Sequence, residues 1–129
     1  MGGKGSYMAD QYHRPISRAL TQQEAALLRW MLEHCGPDAR ACMDKIGRLR
    51  VVSECTCGCP TIDLALDDQP AATKVGSLII ADAEGKSPEG FRVNVIVHVR
   101  DDVISELEVA AFDNTGPFAL PRPEDLRAF

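Results

Sequence analysis

From Phe91 to Arg100 the chain alternates without a break: Phe91, Val93, Val95, Val97 and Val99 on one side, and Arg92, Asn94, Ile96, His98 and Arg100 on the other. Such a period of two fits only a β-strand with one buried face. The stretch before it, Glu84-Gly85-Lys86-Ser87-Pro88-Glu89-Gly90, is turn chemistry throughout. A strand over about 76–83 is expected upstream of that turn. Downstream, a loop at Arg100-Asp101-Asp102 would set Val97 opposite Ser105, Val95 opposite Leu107 and Val93 opposite Val109, so that the apolar sets meet on one side. A slip of one residue would bring Val95 against Glu106 or Glu108. The same period occurs earlier. Leu49 and Val51 alternate with Arg48 and Arg50, and Ile62, Leu64 and Leu66 alternate with Thr61, Asp63 and Ala65. These two runs read as a hairpin, and Asp67-Asp68-Gln69-Pro70 opens a loop that reaches Lys74.

Ahead of the strands the period is helical. Thr21-Gln22-Gln23-Glu24 is a capping box, in which the Thr21 hydroxyl accepts from the Glu24 amide and the Glu24 carboxylate reaches back to the cap. Leu20, Leu27, Leu28, Met31, Leu32 and Cys35 then recur at helical spacing until Gly36-Pro37. Pro37 suits the first turn of a second helix carrying Ala39, Cys42, Met43 and Ile46, with Gly47 as its stop. The expected fold class is therefore α+β, with two N-terminal helices packed on one face of a roughly five-stranded antiparallel sheet. Residues 8–129 are read as a single domain, and 1–7 as a vector-derived leader. With aromatics at 5% of the 129 residues, the core must be mostly aliphatic. The tail carries Pro117, Pro121 and Pro123, which cannot enter a central strand, and Pro123 begins a last helical turn.

Fourteen basic residues against 19 acidic ones give a net charge of -5, which would repel a phosphate backbone. Nucleic acid is thus not an expected partner. A membrane is not expected either, because the longest apolar runs are far too short to cross a bilayer and no signal peptide opens the chain. The expected location is cytoplasmic. No Gly-x-Ser-x-Gly elbow, phosphate loop or His-Glu-x-x-His helix is present, so the common enzyme classes lose their support.

The five cysteines are an odd number with no secretory signal, which favours reduced thiols over a disulfide framework. Three of them, Cys55, Cys57 and Cys59, are spaced by two. If the strand through Leu49 and Val51 simply continued, all three would share its buried face. Pro60 has no amide hydrogen to close a tight turn, so a wider loop is expected, with the thiols converging at the end of the sheet. Three readings follow. The thiols could bind zinc or copper, with a fourth ligand drawn from Cys35, Cys42, His34, His98 or a partner chain. They could form a readily reduced Cys-x-Cys disulfide. Or they could be small buried hydrophobes at the crowded hairpin end, which requires no cofactor.

His13, His34 and His98 lie in separate neighbourhoods, with His98 on the face opposite the valines. Glu106 with Glu108, and Asp63 with Asp67, form carboxylate pairs; in the expected register Glu106 and Glu108 face Ile96 and Asn94 on a solvated surface. Ile96, Ile104, Ala110 and Phe112 interrupt that polar face. The patch is either an oligomer or partner surface or is covered by Phe118, Leu120 and Leu126 of the tail.

The segment Cys55-Thr56-Cys57-Gly58-Cys59-Pro60-Thr61-Ile62-Asp63 after two helices, the Leu107-Glu108-Val109 strand and the proline-rich end resemble a group of short uncharacterised bacterial proteins. The resemblance spans about 20–126. It implies a shared fold and a bacterial cytosolic origin, and no mechanism. The residues together point first to a non-enzymatic accessory or protein-interaction module with an unknown protein partner, and a homodimer fits its exposed sheet edges. The alternative is a metal-binding or thiol-redox protein acting through Cys55, Cys57 and Cys59.

Overall fold

The computed structural model describes residues 13–69, 76–113 and 116–129. The expected leader over 1–7, and the part of the expected loop from 70 to 74, lie outside the described residues. The elements run β1 (His13–Arg18), α1 (Gln22–His34), α2 (Pro37–Arg40), a 3₁₀ helix (Met43–Arg48), β2 (Leu49–Cys55), β3 (Ile62–Leu66), β4 (Leu78–Lys86), β5 (Arg92–Arg100), β6 (Val103–Ala111), a 3₁₀ turn (Pro123–Asp125) and β7 (Leu126–Ala128). All strands pair antiparallel in one seven-stranded sheet of order β1-β2-β3-β6-β5-β4-β7.

The α+β class with an antiparallel sheet is present, but the expected arrangement of two helices ahead of five strands is overturned. One strand precedes the first helix, and another follows the proline-rich tail. Both are edge strands. An edge needs no amide on its outer side, which lets Pro15 sit in β1, and β7 is only three residues long. Neither shows a period of two. The second helix is a single α-turn followed by a 3₁₀ segment, so Gly47 lies inside a helical element rather than ending one.

The capping box forms as expected: Glu24 N–H donates to Thr21 Oγ1 at 3.1 Å and Thr21 N–H to Glu24 Oε1 at 2.9 Å. Helix α1 buries Leu27, Leu28, Met31 and Leu32 completely against Val51, Leu64, Leu107 and the β5 valines. Each such side chain contributes about 1.5–3 kcal/mol of burial. The tail packs on this same side, with Phe118 in the core, and does not cover the opposite face as one reading had it.

Of the register shifts in the sheet, two set which side chains of β2 and β6 reach which face. The β5–β6 turn holds only Asp101 and Asp102, at φ of 51° and 64°, the left-handed pair that a two-residue hairpin turn requires. Continued without interruption, that register would place Val97 opposite Glu106. An extra residue at Ser105 corrects it, giving Val99↔Ile104, His98↔Glu106, Val97↔Leu107 and Val95↔Val109. The expected pairings Val97–Ser105 and Val95–Leu107 are thus replaced. Ile104 becomes core, and Glu106 stands opposite His98, with Ile96 opposite Glu108.

Candidate metal centre

The second bulge lies at Val52, between the pairs Val51↔Leu64 and Ser53↔Asp63. It reverses the alternation of β2. Leu49 and Val51 face the helices, but after the bulge it is Glu54 that continues on that side, where it meets Arg14 and Arg18. Ser53 and Cys55 turn to the other face. The expectation that Cys55 shares the buried face of Leu49 and Val51 therefore fails, because one inserted residue moves every later side chain across the sheet.

Beyond Cys55 the chain makes the wide loop that Pro60 demands, closed by Cys55 N–H to Thr61 O at 3.3 Å. Gly58 takes a φ of +105°, and a Cβ there would come within 3.0 Å of Pro117 Cα. Only glycine fits beneath that tail segment, which is also tied down by Phe118 N–H to Gly58 O at 3.4 Å. Under these constraints the three thiols converge, with all Sγ atoms within 4.8 Å of one another and Cys55 Sγ 3.0 Å from Cys57 Sγ. Cys57 is exposed while Cys55 and Cys59 are half-buried, so the reading of Cys55 and Cys57 as buried core residues does not hold. Burial and the adjacent Cys57 push the Cys55 thiol up to about 12. Cys57, accepting a hydrogen bond from Cys55, is held below the usual thiol value.

The remaining expected ligands are elsewhere. Cys35 Sγ lies 3.7 Å from Asp82 O and Cys42 Sγ lies 3.8 Å from Asp38 O, both pushed up by burial. The His34 ring stacks on Trp30 at 4.5 Å. His98 reaches Glu108 at 2.7 Å and Glu106 at 4.0 Å, forming a second cluster on the polar face, where the hydrogen bond to Glu108 accounts for the grouping.

A residue that sequence reasoning set aside lies beside the cysteines, outside their 4.8 Å group. His13 on β1 pairs with Cys55 on β2, and both line a cleft of about 340 Å³ with Cys57, Cys59, Glu106 and Glu108. His13 Nδ1 is 3.2 Å from Asp63 Oδ2, a carboxylate that also accepts from Ser53 Oγ. No local signal marked His13, since β1 has no alternation to reveal it as a strand. A row of polar side chains, Ser53, Asp63, Glu106 and His98, thus crosses the face beside the thiols. No helix among the described residues is long and apolar enough to cross a membrane. Comparison of the chain with family models, curated proteins and solved structures returns no match.

Proposed function

We propose that this chain is a non-enzymatic, metal-binding accessory protein of a reducing compartment, holding a thiophilic ion through Cys55, Cys57 and Cys59. The observation that carries this reading is the convergence of three thiols within 4.8 Å at the end of the β2–β3 hairpin. A tetrahedral zinc ion with Zn–S bonds of about 2.3 Å holds its sulfurs about 3.8 Å apart. The thiols stand close to that triangle, and the 3.0 Å Cys55–Cys57 contact need open only slightly. Elemental analysis of protein purified under reducing conditions tests the reading. About one zinc or copper per chain, lost in Cys57→Ser, supports it; a metal-free chain that also fails to compete with a chromogenic zinc chelator refutes it.

A second reading rests on the Cys55–Cys57 contact and the lowered Cys57 thiol. In thiol–disulfide exchange, Cys57 thiolate attacks a substrate disulfide and expels one sulfur as thiolate. Cys55, as thiolate, then attacks Cys57 Sγ and releases the second, leaving a Cys55–Cys57 disulfide and a reduced substrate. Alkylation by iodoacetamide confined to Cys57 at neutral pH, in protein that binds no metal, would favour this reading over the first.

A further inference from the structure

We propose that His13 supplies the fourth ligand through Nε2, making the site a Cys₃His tetrahedron selective for zinc; this inference rests on the metal reading of the cysteine loop. Three thiolates leave one tetrahedral position to fill. His13 is placed for it by the ladder: it is the cross-strand partner of Cys55, and such partners present their side chains on one face with Cβ atoms about 4.5–5.5 Å apart. Both line the same cleft.

Orientation supplies the second argument. A metal-binding imidazole usually donates its other ring N–H to a carboxylate, which fixes the tautomer and strengthens the ligating nitrogen. His13 Nδ1 lies 3.2 Å from Asp63 Oδ2. With that N–H donated, the lone pair is on Nε2, at the far side of the ring from Asp63. Asp63 is itself held by Ser53 Oγ, so a Ser53–Asp63–His13 chain runs across β2, β3 and β1 toward the thiols. The Val52 bulge makes this possible, because it puts Ser53 and Cys55 on the face that carries Asp63 and His13.

Elimination supplies the third. Cys35, Cys42 and His34 lie on the helical side of the molecule, and His98 bonds Glu108. Glu106 and Glu108 also line the cleft and are the competing donors, though both face the His98 imidazole. Ligand chemistry sets the metal: three thiolates alone suit Cu(I), whereas adding an imidazole to complete a tetrahedron suits zinc.

Cobalt(II) titration of the reduced, metal-free full chain reads the ligand set directly, with zinc affinity measured by competition. The wild type should take up one cobalt per chain with thiolate charge-transfer bands and intense tetrahedral d–d bands. His13→Ala should keep the charge-transfer bands, shift the d–d envelope and bind zinc at least about tenfold more weakly; Asp63→Asn should lose about 10–100-fold. His13→Cys, which restores a fourth ligand, should recover tight binding. Matching circular dichroism of the metal-free variants establishes that they fold. Wild-type and His13→Ala proteins with the same spectrum and zinc affinity would overturn the His13 assignment and leave the cysteine site standing. Loss of affinity in Glu108→Gln or Glu106→Gln, but not in His13→Ala, would overturn it in favour of a carboxylate. Absence of charge-transfer bands in the wild type would overturn the metal reading itself.

Discussion

Replacing Glu24 with Gln removes one charge from the junction of β1, α1 and β2 while keeping the shape. The Glu24 side chain is 8% exposed and accepts from Arg18 Nη1 at 2.8 Å and Nη2 at 2.9 Å. Gln can still accept the Thr21 amide, so the capping box survives and the loss falls on the two charge-assisted bonds. A hydrogen bond to a charged group contributes about 1.5–3 kcal/mol. Arg18 keeps Glu54 at 3.1 Å and is 31% exposed, so the lower end applies and Glu24→Gln should cost about 1.5–2 kcal/mol at neutral pH. Burial alone would push the Glu24 carboxyl up, but Arg18 and the Thr21 cap outweigh it and hold the group below its ordinary 4.5. Its contribution is therefore complete above about pH 4.5 and is lost as the pH falls through the folded-state value. Urea unfolding of both proteins at pH 7 and at a series of points below 4.5 gives the difference directly. It should shrink steadily on acidification. A difference independent of pH, or one below about 0.5 kcal/mol at pH 7, would refute the argument.

Three other outcomes can be measured. In Gly85→Ala the new Cβ would lie 2.4 Å from Asp125 O, a backbone atom with no rotamer to change, so β7 should detach at a cost of about 1–3 kcal/mol, read as faster amide exchange from 126 to 129. Deleting Ser105 closes the bulge and keeps Val99 opposite Ile104, His98 opposite Glu106 and Val97 opposite Leu107, so every face is retained; thermal unfolding should stay cooperative, and loss of the cooperative transition would refute the bulge assignment. On the metal reading, zinc affinity should rise with pH, because Cys55, pushed up to about 12, must give up its proton and alone contributes about a tenfold gain per pH unit below that value. Flat affinity between pH 6 and 8 would show that Cys55 is not a ligand.

How much could be read from the sequence differs by element for definite reasons. Thr21, Glu24 and the leucines after them announced α1, because a capping box and a helical stripe are local. The β5 valines did the same for their strand. Faces were another matter. Val52 and Ser105 look like ordinary strand residues, yet each shifts the register by one, and only pairing with a neighbour shows it. The cysteine loop was legible in its width, from Pro60, and in the convergence of its thiols. Its surroundings were not. His13 reaches Cys55 from the opposite side of three helical elements, through an edge strand whose proline erases any periodic signal.

The order β1-β2-β3-β6-β5-β4-β7 also sets a sequence of events. Strands β4, β5 and β6 can zip from local turns, as can β2 and β3, and the ladder that joins the two halves pairs Ile62 with Leu107 and Asp63 with Glu106. Beyond them the Thr61 hydroxyl accepts from Val109 N–H at 2.9 Å and donates to Val109 O at 3.2 Å, a side chain standing in for a further strand pair across 48 residues of sequence. Closing that long loop should be the slow step of assembly, since its entropy is lost before any non-local contact is gained. The same seam divides the sheet into two locally zipped halves, so amide exchange from Ile62 and Asp63 should be slowed only as far as α1 and Phe118, packed in one core with both halves, hold them together.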